Sequence, residues 1–170
     1  MDTSEQIAHR EAEAKLQFIK RAIQRLDHIK KCKGSKELCD LTDQEILEGL
    51  NYSFSKKDKA SVEQFDDYHS IESALLMIAE SALSVELPSN WISVYTYDRS
   101  TGSDWFTPYE FRVLLCIGGP AVALRGCLDE FGDPVTASLE YCHWLTDWKE
   151  YTVSEEEMEV LLQYAQVLLP

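Results

Sequence analysis

Histidine, cysteine and carboxylate side chains could do chemistry in this chain, but their spacing fits no catalytic or metal-binding template. His28 and Cys32 are four residues apart with Cys39 further along, yet C-x-x-C spacing is absent and no fourth ligand is obvious. An exposed polar helix position explains His28 equally well. Cys142 and His143 are adjacent, so on a strand they point to opposite faces and cannot form a nucleophile–base pair. We therefore predict no catalytic residues and no metal.

Glycine-rich and catalytic motifs lead to the same expectation. The chain contains no P-loop, no G-x-G-x-x-G, no G-x-S-x-G and no H-E-x-x-H. Gly118-Gly119-Pro120 stands between two predicted strands, where a turn explains it, whereas a phosphate cradle would need a following helix. Paired acids such as Asp66-Asp67 fall in acid-rich loops and need no catalytic role. We expect no cofactor.

Charge is distributed unevenly along the 170 residues, whose net charge is −14. Residues 1–60 contain 12 Lys and Arg against 11 Asp and Glu, whereas residues 61–170 contain 4 against 19. Such an acidic region repels nucleic acid and favours basic partners, although solubility alone also explains it. If it is a working surface, its carboxylates should cluster on one face of the sheet and the flanking turns.

Cellular location follows from the cysteines and the hydropathy pattern. Five unpatterned cysteines suit a reducing compartment. No apolar run approaches the roughly 18 residues of a membrane span, and the polar N-terminus lacks the apolar core of a signal peptide. We expect a cytoplasmic protein without membrane contact.

Helix signals dominate the first 80 residues. An apolar stripe with three- and four-residue spacing predicts a long first helix, capped by Thr3 with Gln6 and ended by Gly34. This stripe must be buried, either in cis or in a homodimer. Thr42 with Glu45 begins a second helix, and Ser70 caps a third. The stripe comprises Ala8, Ala12, Leu16, Ile19, Ile23, Leu26 and Ile29.

From Leu83 the apolar period changes to two, which is typical of strands. Short connections between the runs favour an antiparallel meander of three to four strands. Ser154 with Glu157 begins a C-terminal helix whose apolar stripe should pack on the sheet. We predict an α+β fold with a helical region at 1–50, a linker or loop at 51–69 and an α+β domain at 70–170.

Aromatic residues among the acids indicate a binding surface. Trp91, Trp105, Trp144 and Trp148 all fall near predicted strand ends. Trp and Tyr are enriched in binding hot spots, although a core position is the default for any one of them. Asp129 and Glu130 could equally be turn-forming residues. The predicted partner-binding residues are Asp129, Glu130, Asp133, Glu140, Asp147 and Glu150, with Trp144 and Trp148 as anchors.

Four motifs follow one another between about residues 70 and 165: 78–91 (IAESALSVELPSNW), 114–122 (LLCIGGPAV), 125–134 (RGCLDEFGDP) and 139–151 (LEYCHWLTDWKEY). Their order resembles a family of small uncharacterised phage and prophage proteins. The chain departs from that family's pattern at Cys142-His143, where Gln-Asp is expected, and at Asp147, where proline is expected. The resemblance implies a mobile-element origin and carries no established activity.

Because small accessory phage proteins often act by binding, this resemblance implies an inhibitor of a host defence or nucleic-acid-processing protein, such as an anti-CRISPR protein. Its partner would be a host protein with a basic nucleic-acid-binding surface, for example a CRISPR effector, and its carboxylates would mimic phosphates. Direct nucleic-acid binding is not expected. Two alternatives remain: a small enzyme acting on a nucleotide or host protein, and a dimeric assembly protein that pairs through the first helix.

Overall fold

The computed structural model of the chain describes residues 3–32, 70–87, 92–93, 108–144 and 146–170. Several sequence predictions lie outside these residues: the end of the first helix at Gly34, the helix from Thr42, the linker at 51–69, Cys39, Trp91 and Trp105.

Three helices and one antiparallel sheet make up the described part of the chain, which confirms the predicted α+β fold. The helices are α1 (Ser4–Lys31), α2 (Ile71–Ser81) and α3 (Glu155–Leu168). The strands are β1 (Ser84–Leu87), β2 (Ile92–Ser93), β3 (Glu110–Cys116), β4 (Ala121–Cys127), β5 (Ser138–Cys142) and β6 (Lys149–Tyr151).

The sheet has the strand order β2-β1-β3-β4-β5-β6, so β3 to β6 form the predicted meander and β1–β2 is a hairpin beside it. Its six strands exceed the expected three to four. The two additional strands, β2 and β6, contain two and three residues. Strands this short cannot display the alternation of apolar and polar residues by which a strand is recognised in sequence.

Each helix begins at the residue that the sequence indicates. The Thr3 hydroxyl accepts a hydrogen bond from the Gln6 N–H, and the Gln6 side chain accepts one from the Thr3 N–H. Ser154 and Glu157 form the same reciprocal pair at the start of α3. Ser70 caps α2. These bonds satisfy N–H groups that have no partner inside their helix.

Helix α1 lies against β4 and β5 and also contacts α2 and α3. Its apolar stripe is at most 2% exposed and belongs to the same hydrophobic cluster as the buried side chains of β3, β4 and β5. The stripe is therefore buried in cis, which is one of the two expected alternatives. The predicted boundary between a helical region and an α+β domain falls in 51–69, outside the described residues, but α1 shares its core with residues 70–170.

The two faces of the sheet differ in composition. Alternation along β3 directs Phe111, Val113 and Leu115 toward the helices, where they are at most 3% exposed. Arg112 lies on the opposite face, called here the outer face, directly across from Arg125 on β4. Residues paired across antiparallel strands share a face, so the sheet positions a defined row of polar side chains away from the core.

Helix α3 contributes its apolar residues to this core, and its Tyr164 is fully buried. The Ser81 hydroxyl donates to the Ile78 carbonyl at 2.6 Å and also contacts the Tyr164 hydroxyl at 2.5 Å. Burial raises the pKa of Tyr164 to about 12, against the opposing effect of the bond to Ser81. Tyr164 is therefore a neutral hydrogen-bonding core residue. Among the described residues, no helix has the length and apolar character needed to cross a bilayer.

Candidate partner-binding surface

Residues 128–135, called here the β4–β5 turn, contain three of the predicted site residues. The Asp129 carboxylate accepts hydrogen bonds from the N–H groups of Phe131 and Asp133, both at 2.9 Å. The Asp133 carboxylate accepts a hydrogen bond from the Gln166 side chain on α3 at 3.0 Å. Glu130 is exposed. Asp129 is thus a turn-forming residue, which is one of the two roles that the sequence left open. Asp133 connects the turn to α3 through its hydrogen bond with Gln166.

Residues 143–148, called here the β5–β6 loop, contain three more predicted site residues: Trp144, Asp147 and Trp148. The loop is closed on itself by Thr146, whose hydroxyl accepts from the His143 N–H at 3.1 Å and donates to the His143 carbonyl at 2.9 Å. The Thr146 N–H also donates to the Trp144 carbonyl. Within the described residues the Asp147 side chain makes no hydrogen bond and no ion pair. The hydrogen bonds of Thr146 therefore stabilise the loop, and Asp147 is exposed.

Trp144 is the most unusual residue of this loop. Its φ angle is 28°, a region that residues other than glycine rarely adopt, and its side chain is 64% exposed. A Cβ atom added to Gly119 would collide with the indole atoms Nε1, Cδ1 and Cε2 of Trp144. The indole therefore rests directly on the Gly119 backbone, where no side chain larger than hydrogen fits. Surrounding structure must hold such a conformation, and strained residues of this kind concentrate at functional sites.

Trp148 is placed differently, on the outer face of the sheet. The guanidinium carbon of Arg112 lies 4.8 Å from the centroid of the Trp148 ring, within the range of a cation–π contact. Trp148 is 37% exposed. Ala123 on β4 lies on this face, between Leu114 and Glu140, and is fully buried. Trp148 is thus partly covered by its contact with Arg112, while Trp144 is the more exposed of the two tryptophans.

Glu140 and Glu150 lie directly across from each other on β5 and β6, so both carboxylates are on the outer face. Like charges in this arrangement repel each other. Glu140 has a counter-ion, because the Arg125 guanidinium lies 3.6 Å from its carboxylate. Among the described residues Glu150 has none. Lys149 points to the other side, where it donates to Glu5 on α1 at 2.6 Å, and that bond is the main cause that raises the pKa of Lys149.

The eight predicted residues do not form one patch. The β4–β5 turn follows the carboxyl end of β4 and the β5–β6 loop follows the carboxyl end of β5, so they lie at opposite ends of antiparallel strands. A seven-residue strand separates the two ends by roughly 20 Å. Trp144, Asp147, Trp148 and Glu150 are together at one end, with Glu140 beside them. Asp129, Glu130 and Asp133 are at the other.

Acidic residues elsewhere on the protein also depart from the expected single cluster. Glu155, Glu156 and Glu157 occupy the first turn of α3, where they complement the helix dipole. Hydrogen bonds from Ser154, and then the contact with Lys20, lower the pKa of the Glu157 carboxyl. The carboxylates are therefore distributed over helix ends, turns and the outer face rather than over one surface.

The cysteine candidates for chemistry are buried or partly buried in the described residues, apart from the exposed Cys127. Cys32 is 2% exposed, with its sulfur 3.1 Å from His28 Nε2. Partial burial raises the pKa of Cys142, against the opposing effect of Arg112, and burial raises that of Cys116. Raised values disfavour the nucleophilic thiolate. No group of three His, Cys, Asp or Glu suited to a metal ion occurs within the described ranges.

Two surface cavities lie on the helix side of the sheet. One, of 460 Å³, lies at the start of α1 beside Tyr141, and the other, of 340 Å³, lies between the three helices near Lys15 and Tyr164. Neither is lined by Trp144 or His143. An enzyme site would need a cavity in which polar groups converge beside these residues. These two cavities do not provide one there.

The comparisons with known proteins add no relative. No family model matches the chain, and no curated protein and no solved structure matches it.

Sequence reasoning missed two residues at the β5–β6 end of the sheet and one on its outer face. Ile117 is 68% exposed just before the β3–β4 turn, Gly119 supports the Trp144 indole, and Arg112 stacks on Trp148. The glycine pair before Pro120 is a visible signal in the sequence, but by itself it indicates only a turn. Arg112 gives no signal, because its contact joins residues that are far apart in sequence. We define the loop-end surface as Ile117, Gly119, Trp144, Asp147, Trp148 and Glu150.

Proposed function

We propose that this protein is a phage-type inhibitor that binds a host defence or nucleic-acid-processing protein through its loop-end surface. The observation that carries the proposal is Trp144, a 64% exposed indole held in a rare backbone conformation against Gly119. A tryptophan has only two side-chain torsions to immobilise, so it loses little conformational entropy on binding, and tryptophan is enriched in binding hot spots.

Charge supports a basic partner. Among the described residues 108–170 the only Lys and Arg are Arg112, Arg125 and Lys149. Arg112 stacks on Trp148, Arg125 pairs with Glu140, and Lys149 pairs with Glu5. Asp147 in the β5–β6 loop and Glu150 on β6 therefore present negative charge without a counter-ion among the described residues. Such a surface is complementary to a groove that holds nucleic acid.

The proposed mechanism separates steering from anchoring. Exposed carboxylates act over a Debye length of about 8 Å at physiological salt, so Asp147 and Glu150 accelerate association. Trp144 inserts into the partner and slows dissociation. In this proposal the carboxylates occupy phosphate positions in the groove, so the inhibitor excludes the partner's nucleic acid. The mechanism needs no metal or cofactor.

The resemblance to small phage proteins supports the biological setting of the proposal. It implies an accessory protein made during infection, which would act in the host cytoplasm. A CRISPR effector fits the chemistry required of the target, because it holds nucleic acid in a positively charged channel. An anti-CRISPR protein is therefore the specific form of inhibitor that we propose.

Affinity capture from phage-infected host extract tests the proposal, with the unmodified chain as one bait and the Trp144→Ala variant as another. We expect the unmodified chain to retain a nucleic-acid-binding protein that Trp144→Ala retains poorly. The purified partner's own nucleic acid should then compete with the inhibitor. Retention of the same partner by both baits, or indifference of the complex to nucleic acid, would contradict the proposal.

Charge reversal provides a kinetic test on the purified complex. Glu150→Lys should lower the association rate constant roughly tenfold and weaken its dependence on salt, because it removes steering charge. The matched control is Glu130→Lys, which makes the same charge change at the far end of the sheet and should leave the rate nearly unchanged. Equal effects of the two reversals would show that net charge alone, and not this surface, drives association.

A further inference from the structure

We infer that the loop-end surface recognises arginine in its partner, by stacking a guanidinium on the Trp144 indole while Asp147 or Glu150 binds the N–H groups. This inference rests on the proposed function and specifies the chemistry of the partner. Four features of the described residues carry it: the free ring of Trp144, the neighbouring acids, the shortage of cations and an existing arginine–tryptophan contact.

The ring of Trp144 is available to a planar cation. Its pyrrole ring lies against Gly119 on one side, and the side chain is nevertheless 64% exposed. No Lys or Arg within the described ranges lies over this ring. Because the indole face carries negative electrostatic potential, it attracts a cation placed over it, and arginine is used for this contact more often than lysine.

The protein already contains this contact a short distance away. Arg112 lies 4.8 Å from the centroid of the Trp148 ring on the outer face. That pair shows that the outer face accommodates a guanidinium stacked on an indole. Trp144 lies four residues before Trp148 and offers the same group, with greater exposure and with no described cation of its own.

Carboxylates are suitably placed for the second half of the recognition. Asp147 follows Trp144 by three residues across a turn closed by Thr146, so chain length alone keeps their Cα atoms within about 10 Å. Glu150 continues the row onto the outer face, opposite Glu140. A guanidinium can stack on a ring and still donate in its own plane to a carboxylate, which the point charge of lysine cannot do with the same geometry.

Two capped peptides of equal charge, hexa-arginine and hexa-lysine, test the inference by titration calorimetry at physiological ionic strength. Equal charge cancels the non-specific attraction to an acidic protein. We expect the arginine peptide to bind at least about fivefold more tightly to the unmodified chain. The two peptides should bind with about equal affinity to Trp144→Ala. Trp144→Phe, which keeps a smaller aromatic face, should show an intermediate preference for the arginine peptide.

Two control variants locate the preference. Phe131→Ala removes an aromatic side chain that is 73% exposed at the far end of the sheet, and it should leave the preference unchanged. Tyr109→Ala removes a ring that is 64% exposed just before β3, outside the loop-end surface, and it should also leave the preference unchanged. Equal affinities of the two peptides for the unmodified chain would overturn the inference. So would a preference that survives Trp144→Ala.

Failure here is distinguishable from failure of the proposed function. If the captured partner depends on Trp144 and is displaced by nucleic acid while the two peptides bind equally, only the arginine inference fails. If the arginine preference depends on Trp144 but no nucleic-acid-binding partner is retained, the inhibitor proposal fails and the recognition chemistry stands.

Discussion

The β4–β5 turn and the β5–β6 loop each combine acidic and exposed aromatic residues, but their carboxylates make different contacts. In the turn, Asp129 accepts two backbone N–H groups and Asp133 accepts the Gln166 amide. In the loop, the hydroxyl of Thr146 closes the backbone and Asp147 is left exposed. A carboxylate that accepts hydrogen bonds within its own turn stabilises the fold, whereas a carboxylate without such bonds is available to a partner.

The glycines near the two ends show the same contrast. A Cβ atom on Gly126 would meet the backbone carbonyl of Thr136 and the buried ring of Phe111. A Cβ atom on Gly119 would meet only the exposed indole of Trp144. Near the turn, Gly126 therefore packs against the hydrophobic core. Near the loop, Gly119 packs against an exposed side chain that is not part of the core.

Alanine at the two glycines should give the largest difference. Gly126→Ala should lower the free energy of unfolding by about 3 kcal/mol, because a backbone atom and a buried ring must move. Gly119→Ala should cost less than about 1 kcal/mol, since the exposed indole can swing away. Urea unfolding followed by circular dichroism measures both. Equal losses would mean that Trp144 is part of the fold rather than a group presented to a partner.

Gly118→Ala is the matched control for Gly119→Ala. Gly118 has a φ of 117°, and a Cβ atom there would meet nothing within 4 Å. This substitution strains the backbone without touching the indole. Only Gly119→Ala should shift the indole N–H resonance of Trp144 strongly.

Removal of one carboxylate at each end should give the next largest difference. Asp129→Ala should lower the free energy of unfolding by about 1–2 kcal/mol, because it removes the acceptor of two backbone N–H groups. Asp147→Ala should change it by less than about 0.5 kcal/mol, as expected for an exposed surface residue. Thermal unfolding of the two variants side by side measures this. A larger loss for Asp147→Ala would reverse the assignment of the two ends.

Glu157 is a hydrogen-bonded carboxylate at the start of a helix, and its removal should lower the free energy of unfolding less than Gly126→Ala or Asp129→Ala does. Its pKa is lowered by hydrogen bonds from Ser154 and by Lys20, so the folded state favours the ionised form. This stabilisation is present above the pKa of the unfolded chain, near 4.3, and is lost as pH falls through the lower folded value. Glu157→Ala should cost about 1 kcal/mol at neutral pH and less in acid.

Glu156→Ala is the control for that pH dependence, since it lies in the same turn of α3 without the bonds to Ser154 and Lys20. Unfolding by urea at neutral and acidic pH compares the two. An effect of Glu157→Ala that grows as pH falls would contradict the sign derived from its lowered pKa.

Much of the fold could be predicted because its signals are local. Helix starts depend on a residue and its neighbour three positions on, as with Ser154 and Glu157, and the strands β1, β3 and β5 alternate visibly. The strand β6 could not be predicted, because three residues carry no period. The sequence indicates both Trp144 and Trp148 as anchors, yet which of them is the more exposed depends on Arg112 and Gly119. Such contacts between residues that are distant in sequence do not appear in a local pattern.

For the acids, the sequence allowed both a turn-forming and a partner-binding role at Asp129 but could not decide between them. Asp129 and Asp147 both stand beside turns, and only the backbone conformation decides which carboxylate meets N–H groups. Sequence reasoning therefore gave one binding list where the structure distinguishes two groups. Four of the eight predicted residues belong to the loop-end surface: Trp144, Asp147, Trp148 and Glu150.

Amide hydrogen exchange of the unmodified chain, with and without its captured partner, tests the central claim most directly. Bound partner should slow exchange at residues 117–121 and 143–150, because these backbone segments carry the loop-end surface. Residues 128–135 should exchange at the same rate in both states and serve as the internal control. Slowing confined to 128–135, with none at 143–150, would show that the binding surface lies at the other end of the sheet.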